Sequence, residues 1–197
     1  LDIIKPIDII HADGIVLSSL FSLFGIKKIC RCSFDMTSVA RMVFQLSEEK
    51  NYSMVIIGTE PDVIDTAIQN ILKEYKLNII EYRDGFFKSE EEKTNYQKYI
   101  SKLNPDILIV GMGVVKQESF LIEMRKKGWY KTGFTCGGFL HQSAISVNYY
   151  PKIINKLHFR WLYRIFREPK LIKRYTIDYF KFLIRFFYDY WFWRRKK

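Results

Sequence analysis

The sequence predicts an α/β fold, a Rossmann-like parallel sheet flanked by helices, followed by a helical C-terminal appendage. Short β-branched runs alternate with helical patterns, which is typical of parallel strands joined by helices. Several of these runs end in glycine, a residue that suits tight strand-to-helix turns. The composition also changes near residue 150. We therefore predict a core over residues 1–150 and an appendage over residues 151–197.

The first half of the core contains two predicted strands and a helix. Ile7–His11 is predicted as a strand near the start of the chain. Ser53–Gly58 (SMVIIG) is a compact β-branched run that ends in glycine, which favours a second strand. Glu60-Pro61-Asp62 then opens a helix that extends to about Tyr75, because proline suits the first turn and acidic side chains suit the positive end of the helix dipole.

The second half repeats this alternation. Asp106–Gly111 (DILIVG) is apolar throughout, as expected for a central parallel strand that is buried on both faces. The other predicted elements are the strands Asn78–Tyr82 and Thr132–Gly137 and the helices Glu90–Leu103 and, approximately, Gln117–Lys127. Because ligands bind at the carboxyl ends of parallel strands, the glycines there form a candidate binding edge, although each of them also fits a simple turn: Gly14, Gly58, Gly111, Gly113, Gly137 and Gly138.

The net charge of +11 lies entirely in the last 46 residues. Residues 152–197 contain 14 Lys or Arg and 3 Asp or Glu, whereas residues 1–151 contain 18 of each sign. A neutral core with a basic appendage indicates an appendage that meets anions, such as lipid headgroups, a diphosphate or nucleic acid. The neutral core carries no nucleic-acid-binding motif, so nucleic-acid binding is the weaker alternative and we expect no nucleic-acid partner.

The end of the appendage, Tyr175–Trp193, is dense in aromatic and aliphatic side chains. Its charged residues follow spacings of 3, 4 and 4, which place them in one narrow stripe of a helix: Asp178, Lys181, Arg185 and Asp189. Four charges argue against a membrane-spanning helix. Together with Arg194-Arg195-Lys196-Lys197, the pattern predicts an interfacial helix on an anionic membrane surface. Burial of the helix against the core or a partner subunit is the alternative.

The spacings of the cysteines and glycines argue against a bound metal and against a dinucleotide cofactor. The chain has three cysteines, Cys30, Cys32 and Cys136, and the first two are too close for a disulfide framework, so we expect reduced thiols. A Cys-x-Cys metal site would need two further ligands, and no histidine lies at a suitable spacing. Gly111-Met112-Gly113 lacks the third glycine of a dinucleotide-binding fingerprint. We therefore expect no metal and no cofactor.

Four blocks of the sequence resemble those of the WecG/TagA/CpsF glycosyltransferase family and occur in the same order. They extend over about Ile7 to Tyr175, and the last is the most specific: Ala12-Asp13-Gly14, then Gly111–Glu118 (GMGVVKQE), then Gly137-Gly138, then Trp161–Arg164 followed by Glu168-Pro169 and Arg174-Tyr175.

The sequence also departs from the family pattern. Val115 stands where proline is usual, His141 where many members have Asp, Tyr149 in place of Arg, and Arg160 in place of Glu. In the family an N-terminal lobe precedes the Asp-Gly block, whereas 12 residues precede Asp13 here, so we expect this lobe to be missing. These departures indicate a divergent branch with a different sugar or a truncated product of reduced activity. A catalytically weak or inactive remnant that partners other assembly enzymes at the membrane is the competing hypothesis.

The resemblance implies an inverting transferase that moves a sugar from a UDP donor to a polyprenyl-diphosphate-linked sugar. Such enzymes make bacterial cell-surface polysaccharides, which include capsule, exopolysaccharide, teichoic acid and enterobacterial-type antigen. Inversion needs a carboxylate that takes the proton of the acceptor hydroxyl. Asp13 matches this base, and capping of a helix that begins near Gly14 is its alternative role. A peripheral location on the cytoplasmic face of the inner membrane and self-association are also implied.

The remaining candidate residues are expected to bind substrate. The chain has no Asp-x-Asp motif, which is the usual metal clamp for a UDP-sugar. Backbone N–H groups and cationic side chains are therefore expected to stabilise the UDP diphosphate. The glycines predicted to supply these N–H groups are Gly58, Gly111, Gly113, Gly137 and Gly138. Lys116 supplies a cation beside them. Gln117 is predicted to bind a sugar hydroxyl or the uracil, and Glu118 to bind a ribose or stabilise the start of a helix.

Three arginines of the appendage, Arg164, Arg167 and Arg174, are predicted to contact a diphosphate, because a planar guanidinium suits bidentate binding of phosphate. The spacing of charges from Arg160 to Arg185 predicts that they share one helical face. A solvated helix face without a ligand is the alternative.

Overall fold

The computed structural model describes residues 5–157 and 159–195, apart from the side chains of Lys152, Lys170 and Arg174. The chain divides into two compact units, Leu1–Tyr149 and Tyr150–Lys197. Each unit has its own packing and is described by itself.

The first unit alternates helices and parallel strands. Its helices are α1 (Ile15–Leu23), α2 (Val39–Lys50), α3 (Pro61–Glu74), α4 (Glu90–Leu103), α5 (Lys116–Lys126) and α6 (Phe139–Ile145). Its strands are β1 (Ser53–Gly58), β2 (Asn78–Arg83), β3 (Ile107–Gly111) and β4 (Thr132–Thr135). The predicted α/β fold with a parallel sheet and flanking helices is confirmed.

The four strands form one sheet in the order β2-β1-β3-β4, and every pair is parallel. The chain moves outward from β1 to β2 and then crosses back to β3 on the other side of β1. The switch in direction therefore lies between β1 and β3, whose last residues, Gly58 and Gly111, are paired. Crevices at such switch points are where ligands bind in open α/β sheets.

Alternate side chains of β1 and β3 fill the cores on the two faces of the sheet. Met54 and Ile56 of β1 pack with α2, α3 and α6, whereas Val55 and Ile57 pack with α4 and α5. Every residue of β3 is buried, so the prediction of a central strand covered on both faces is confirmed.

The predicted strand Ile7–His11 is wrong. This segment has no strand pairing, and Ile9 and Ile10 are exposed. It is attached to α5 instead, because the Nη1 of Arg125 donates to the backbone oxygen of Pro6 and to the Asp8 carboxylate, each at 3.1 Å. The helices α2 and α6 were not predicted. Their apolar residues, among them Phe44 and Phe139, close one face of the sheet.

The second unit consists of short helical segments and one long helix. These are α7 (Lys152–Lys156), α8 (Arg160–Arg167), a 3₁₀ turn (Pro169–Leu171), a π-helical turn (Arg174–Asp178) and α9 (Tyr179–Arg195). The expectation that charges from Arg160 to Arg185 share one helical face is wrong. Pro169 lacks an N–H group to continue the ladder of hydrogen bonds, so α8 ends before it.

The predicted C-terminal helix is confirmed, and none of its described residues is buried. Its charges form a stripe within which Arg185 Nε donates to Asp189 Oδ2 at 2.9 Å. Beside them runs an exposed apolar row: Ile177, Phe180, Ile184, Phe187, Tyr188 and Trp191. No helix in the described ranges is long and apolar enough to cross a membrane. Lys196 and Lys197, which belong to the predicted basic end, lie outside the described residues.

Asp106 joins the amino ends of the central strands. Its Oδ2 accepts hydrogen bonds from the backbone N–H and the hydroxyl of Ser53, at 2.9 and 2.7 Å, and its Oδ1 pairs with Lys131 Nζ at 2.8 Å. The bonds from Lys131 and Ser53 lower the pKa of Asp106 from 3.8 to about 2. Because the folded pKa is depressed, its contribution to stability is complete above about pH 4 and is lost as the pH falls towards 2.

We expect Asp106→Asn to lower the free energy of unfolding at neutral pH, because it removes the charge that Lys131 and Ser53 stabilise. Urea unfolding of both proteins between about pH 7 and 3 checks this. The difference between the two should narrow below about pH 4, where the Asp106 carboxyl of the unfolded chain takes up a proton while that of the native protein is still ionised. A difference that is constant with pH would contradict the assignment.

Candidate functional site

The carboxyl ends of β1, β3 and β4 meet at one edge of the sheet, and the loops that leave them form the candidate site. These loops begin at Gly58, Gly111 and Cys136, and all carry glycine, as the sequence predicts. Parallel strands bring their carboxyl ends to a common edge, so residues distant in sequence become neighbours here.

Glycine backbone without side chains lies where β1 and β3 end, and we call the part formed by Gly58 and Gly111 the floor of the site. A Cβ atom on Gly58 would lie 2.4 Å from the backbone oxygen of Gly111, and one on Gly85 would lie 3.2 Å from the Cα of Gly58. A Cβ on Gly111 would lie 2.7 Å from the Sγ of Cys136. Burial raises the pKa of the Cys136 thiol to about 12, so this group packs as an apolar side chain. Gly58, Gly85 and Gly111 lie at or just after the ends of β1, β2 and β3, and only glycine permits their backbones to approach so closely.

The loop after β1 is fixed by its backbone. Thr59 adopts a φ of 58°, which is uncommon for a β-branched residue. Its N–H donates to the Gly111 oxygen at 3.1 Å, and its own oxygen accepts from Gly85 N–H at 3.0 Å. Strained residues of this kind persist where the surroundings determine them, and they are concentrated at functional sites.

Gln117 and Glu118 hold the loop after β3. The Oε2 of Glu118 accepts from the Val115 N–H at 2.6 Å, and its Oε1 accepts from the Gln117 side chain at 2.8 Å. The Oε1 of Gln117, which is buried, accepts from the Gly137 N–H at 3.2 Å. Val115, the residue before α5, has a φ of 76°. Glu118 therefore stabilises the helix start, as one of its two predicted roles states, and Gln117 joins the loops after β3 and β4.

Four other predicted residues are exposed to solvent at this edge: Gly113, Lys116, Gly137 and Gly138. The Lys116 side chain is exposed on the first turn of α5. Gly113 and Gly137 have positive φ angles, 83° and 53°, and nothing lies within 4 Å of where a Cβ would be. The edge thus offers open space beside glycine backbone and one cation, an arrangement that suits an anion.

A histidine–glutamate pair lies at the same edge, and its members were not among the predicted binding residues. The Nδ1 of His141, on α6, is 3.5 Å from Oε2 of Glu60, the residue that precedes α3. The Thr59 hydroxyl donates to the same Glu60 oxygen at 2.7 Å. This hydrogen bond, with a smaller effect of His141, lowers the pKa of the Glu60 carboxyl. The only sequence signal was the substitution of His141 for the family's Asp.

Asp13 belongs to a second cluster of charged groups. It does not cap α1, since Gly14 occupies that position. Its exposed carboxylate pairs with Nη2 of Arg31 at 3.0 Å, and the same nitrogen lies 3.2 Å from the largely buried Asp35. Neither Arg31 nor Asp35 was predicted, because 18 and 22 residues of chain separate them from Asp13. The role of Asp13 as a base stays a prediction.

Phe34 connects this cluster with the carboxyl edge. Its ring centroid is 5.3 Å from that of Phe134 in β4 and 5.5 Å from that of Phe139, the first residue of α6. The segment that carries Arg31 and Asp35 therefore packs beside the carboxyl end of β4, next to the loop of Gly137 and Gly138.

The predicted arginines belong to the second unit. Arg164 is half-buried and pairs with Glu168 at 3.4 Å, and its buried Nε makes no hydrogen bond to any described residue. Arg167 is exposed, with its guanidinium 5.6 Å from the ring centre of Tyr163. The side chain of Arg174 lies outside the described residues. Phosphate binding by these arginines stays a prediction.

A separate open cleft of about 550 Å³ is lined by Arg83 and by residues of α4 and the turn before it. Two of the charged groups that line it are paired with each other, since Arg83 Nη2 lies 3.2 Å from Glu92 Oε1. We therefore place the candidate site at the glycine-lined edge, which offers backbone donors and space for an anion. Within the described ranges, no group of three or more His, Cys, Asp or Glu residues is arranged to hold a metal ion.

Comparisons with known proteins identify the family of this chain. The whole chain, residues 1–197, matches the model of the glycosyl transferase WecG/TagA/CpsF family. The chain is also similar to the UDP-Gal:alpha-D-GlcNAc-diphosphoundecaprenol beta-1,4-galactosyltransferase of Shigella boydii. The two are 36% identical over 184 residues, which cover 93% of this chain and 77% of the relative.

We expect Gly58→Ala to lower the free energy of unfolding by about 2–5 kcal/mol, because a clash with Gly111 adds to the strain of a positive φ. Gly113→Ala is the matched control, since it meets strain without a clash and should cost about 1 kcal/mol. Urea unfolding followed by circular dichroism measures both. Equal losses would show that the close approach of β1 and β3 does not constrain this edge.

Proposed function

The chain belongs to the WecG/TagA/CpsF family of glycosyltransferases, and on that premise we propose that it transfers a hexose from a UDP-sugar to a sugar carried on a polyprenyl diphosphate. The predicted resemblance of the sequence to this family is confirmed. The observation that carries the proposal is the glycine-lined edge between β1 and β3, where backbone groups and Lys116 suit a diphosphate.

Galactose is the first candidate for the transferred sugar. The Shigella boydii relative is named for UDP-galactose as its donor and GlcNAc-diphosphoundecaprenol as its acceptor. We propose the same classes of donor and acceptor for this chain, in the synthesis of a bacterial cell-surface polysaccharide. A panel of UDP-sugars, with UDP-galactose first, distinguishes this from transfer of another hexose or N-acetylhexosamine.

We propose Asp13 as the base of an inverting transfer. Its exposed carboxylate can reach a hydroxyl of an acceptor, and Arg31 holds one of its oxygens at 3.0 Å. The segment of Arg31 and Asp35 packs beside β4 through Phe34, which supports a position near the loop of Gly137 and Gly138. A carboxylate in this place would take the acceptor proton while the diphosphate leaves from the floor formed by Gly58 and Gly111.

We further propose that α9 holds the chain on the cytoplasmic face of the inner membrane as a peripheral protein. The exposed apolar row from Ile177 to Trp191 runs beside a stripe of charged side chains. Aromatic side chains suit the headgroup boundary, and Arg194 and Arg195 suit anionic lipid. An enzyme with a soluble donor and a lipid-linked acceptor needs access to that surface. Self-association, which the resemblance implies, stays a prediction.

We expect Asp13→Asn to abolish transfer of radiolabelled galactose from UDP-galactose to a polyprenyl-diphosphate-GlcNAc acceptor in liposomes, since the amide cannot accept the proton. Glu49→Gln, an exposed acid on α2, is the control and should keep its activity. Near-normal turnover by Asp13→Asn would remove Asp13 as the base. Failure of the unaltered, liposome-bound chain with every UDP-sugar would favour the inactive-remnant hypothesis.

We expect the double substitution Phe180→Ser with Phe187→Ser to weaken binding to phosphatidylglycerol vesicles by about tenfold or more, because two apolar side chains of the exposed row no longer enter the interface. Vesicle sedimentation measures the binding. Tyr130→Ser, which removes an exposed aromatic of the first unit, is the control. Unchanged vesicle binding with a changed oligomeric state in analytical ultracentrifugation would instead assign α9 to a subunit interface.

A further inference from the structure

We propose that His141, positioned by Glu60, contacts the diphosphate of the donor and stabilises the leaving UDP. This inference rests on the proposed function, since it requires a UDP-sugar at the glycine-lined edge. It assigns a substrate contact to His141 and a positioning role to Glu60.

The geometry of the pair leaves one imidazole nitrogen available. His141 Nδ1 faces Glu60 Oε2 at 3.5 Å, and the Thr59 hydroxyl holds that same oxygen at 2.7 Å. This arrangement turns the Nδ1 edge of the ring towards Glu60. His141 has no other hydrogen bond or ion pair to the described residues, and its side chain is 37% exposed. The Nε2 atom can therefore contact a ligand.

The position of α6 places the pair of His141 and Glu60 beside the end of β3. The Cδ1 of Leu140 lies 3.3 Å from where a Cβ of Gly111 would be, so the first turn of α6 packs directly on the end of β3. His141 is the next residue, and Glu60 lies two residues beyond the end of β1. The pair thus spans from β4 to β1 across the end of β3, where Gly58 and Gly111 meet.

The negative charge of Glu60 determines how His141 can contact a diphosphate. The lowered pKa of Glu60 keeps its carboxyl ionised at neutral pH, and an unpaired carboxylate here would repel a diphosphate. In the proposed complex, His141 lies between the carboxylate and the diphosphate, and these two anionic neighbours favour the imidazole form with both N–H donors, so that Nε2–H faces a phosphate oxygen. Donors that are fixed before the reaction stabilise the charge that develops on a leaving group.

In the proposed transfer, one bond of the anomeric carbon is exchanged for another. The oxygen of the acceptor hydroxyl forms a bond to the anomeric carbon as the bond from that carbon to the diphosphate oxygen breaks. The electron pair of the broken bond stays on the diphosphate, and the hydroxyl proton passes to Asp13. The Nε2–H of His141 donates a hydrogen bond to the departing diphosphate and keeps its proton.

The test is isothermal titration of the full 197-residue chain with UDP and, separately, with uridine. We expect His141→Ala to lower the affinity for UDP by about tenfold or more and to leave the affinity for uridine unchanged, because only UDP carries the phosphates. Glu60→Gln should lower the affinity for UDP by a smaller factor, with uridine again unchanged. Lys102→Gln, which removes an exposed cation from the last turn of α4, is the control and should change neither.

Equal losses for UDP and uridine in His141→Ala would mean that His141 shapes the nucleoside site, which overturns the phosphate contact. Unaltered UDP affinity in His141→Ala and in a second variant, His141→Asn, would also overturn it while leaving the proposed function intact. An unaltered chain that binds neither UDP nor uridine would overturn the proposed function and this inference together.

Discussion

The close approach of Gly58 and Gly111 is the constraint on which the candidate site depends. These residues end the two central strands, and a Cβ on Gly58 would lie 2.4 Å from the Gly111 oxygen. Because no side chain fits between the strands, their loops leave the sheet side by side. The same contact fixes Thr59, whose N–H donates to the Gly111 oxygen.

The side chains around this floor join loops that the sheet alone would leave independent. Gln117 connects the loop after β3 with Gly137, and Glu118 fixes the start of α5. The pair of His141 and Glu60 connects α6 with the loop after β1. Preorganisation of this kind lowers the cost of ordering a site when a charged ligand binds. The chemistry proposed for the family member therefore rests on loops that are already fixed relative to one another.

Apolar patterning predicted the parallel sheet well, because β1 and β3 are continuous apolar runs that only burial on both faces explains. It failed for Ile7–His11, where an ion pair between Asp8 and Arg125 attaches the segment to α5 instead of to a strand. The helical face of arginines failed because Pro169 divides it. Local patterns cannot register such tertiary contacts or a single break in a helix.

The sequence by itself determined the fold class, the family, the basic aromatic appendage and the glycines at the strand ends, since these depend on residue type and local spacing. Only the tertiary structure decided the partners of these residues. It assigned the Glu118 carboxylate to the start of α5, paired Asp13 with Arg31, and placed His141 beside Glu60, 81 residues away in sequence. The physical reason is that parallel strands gather their carboxyl ends at one edge, so contacts between distant residues follow from strand order.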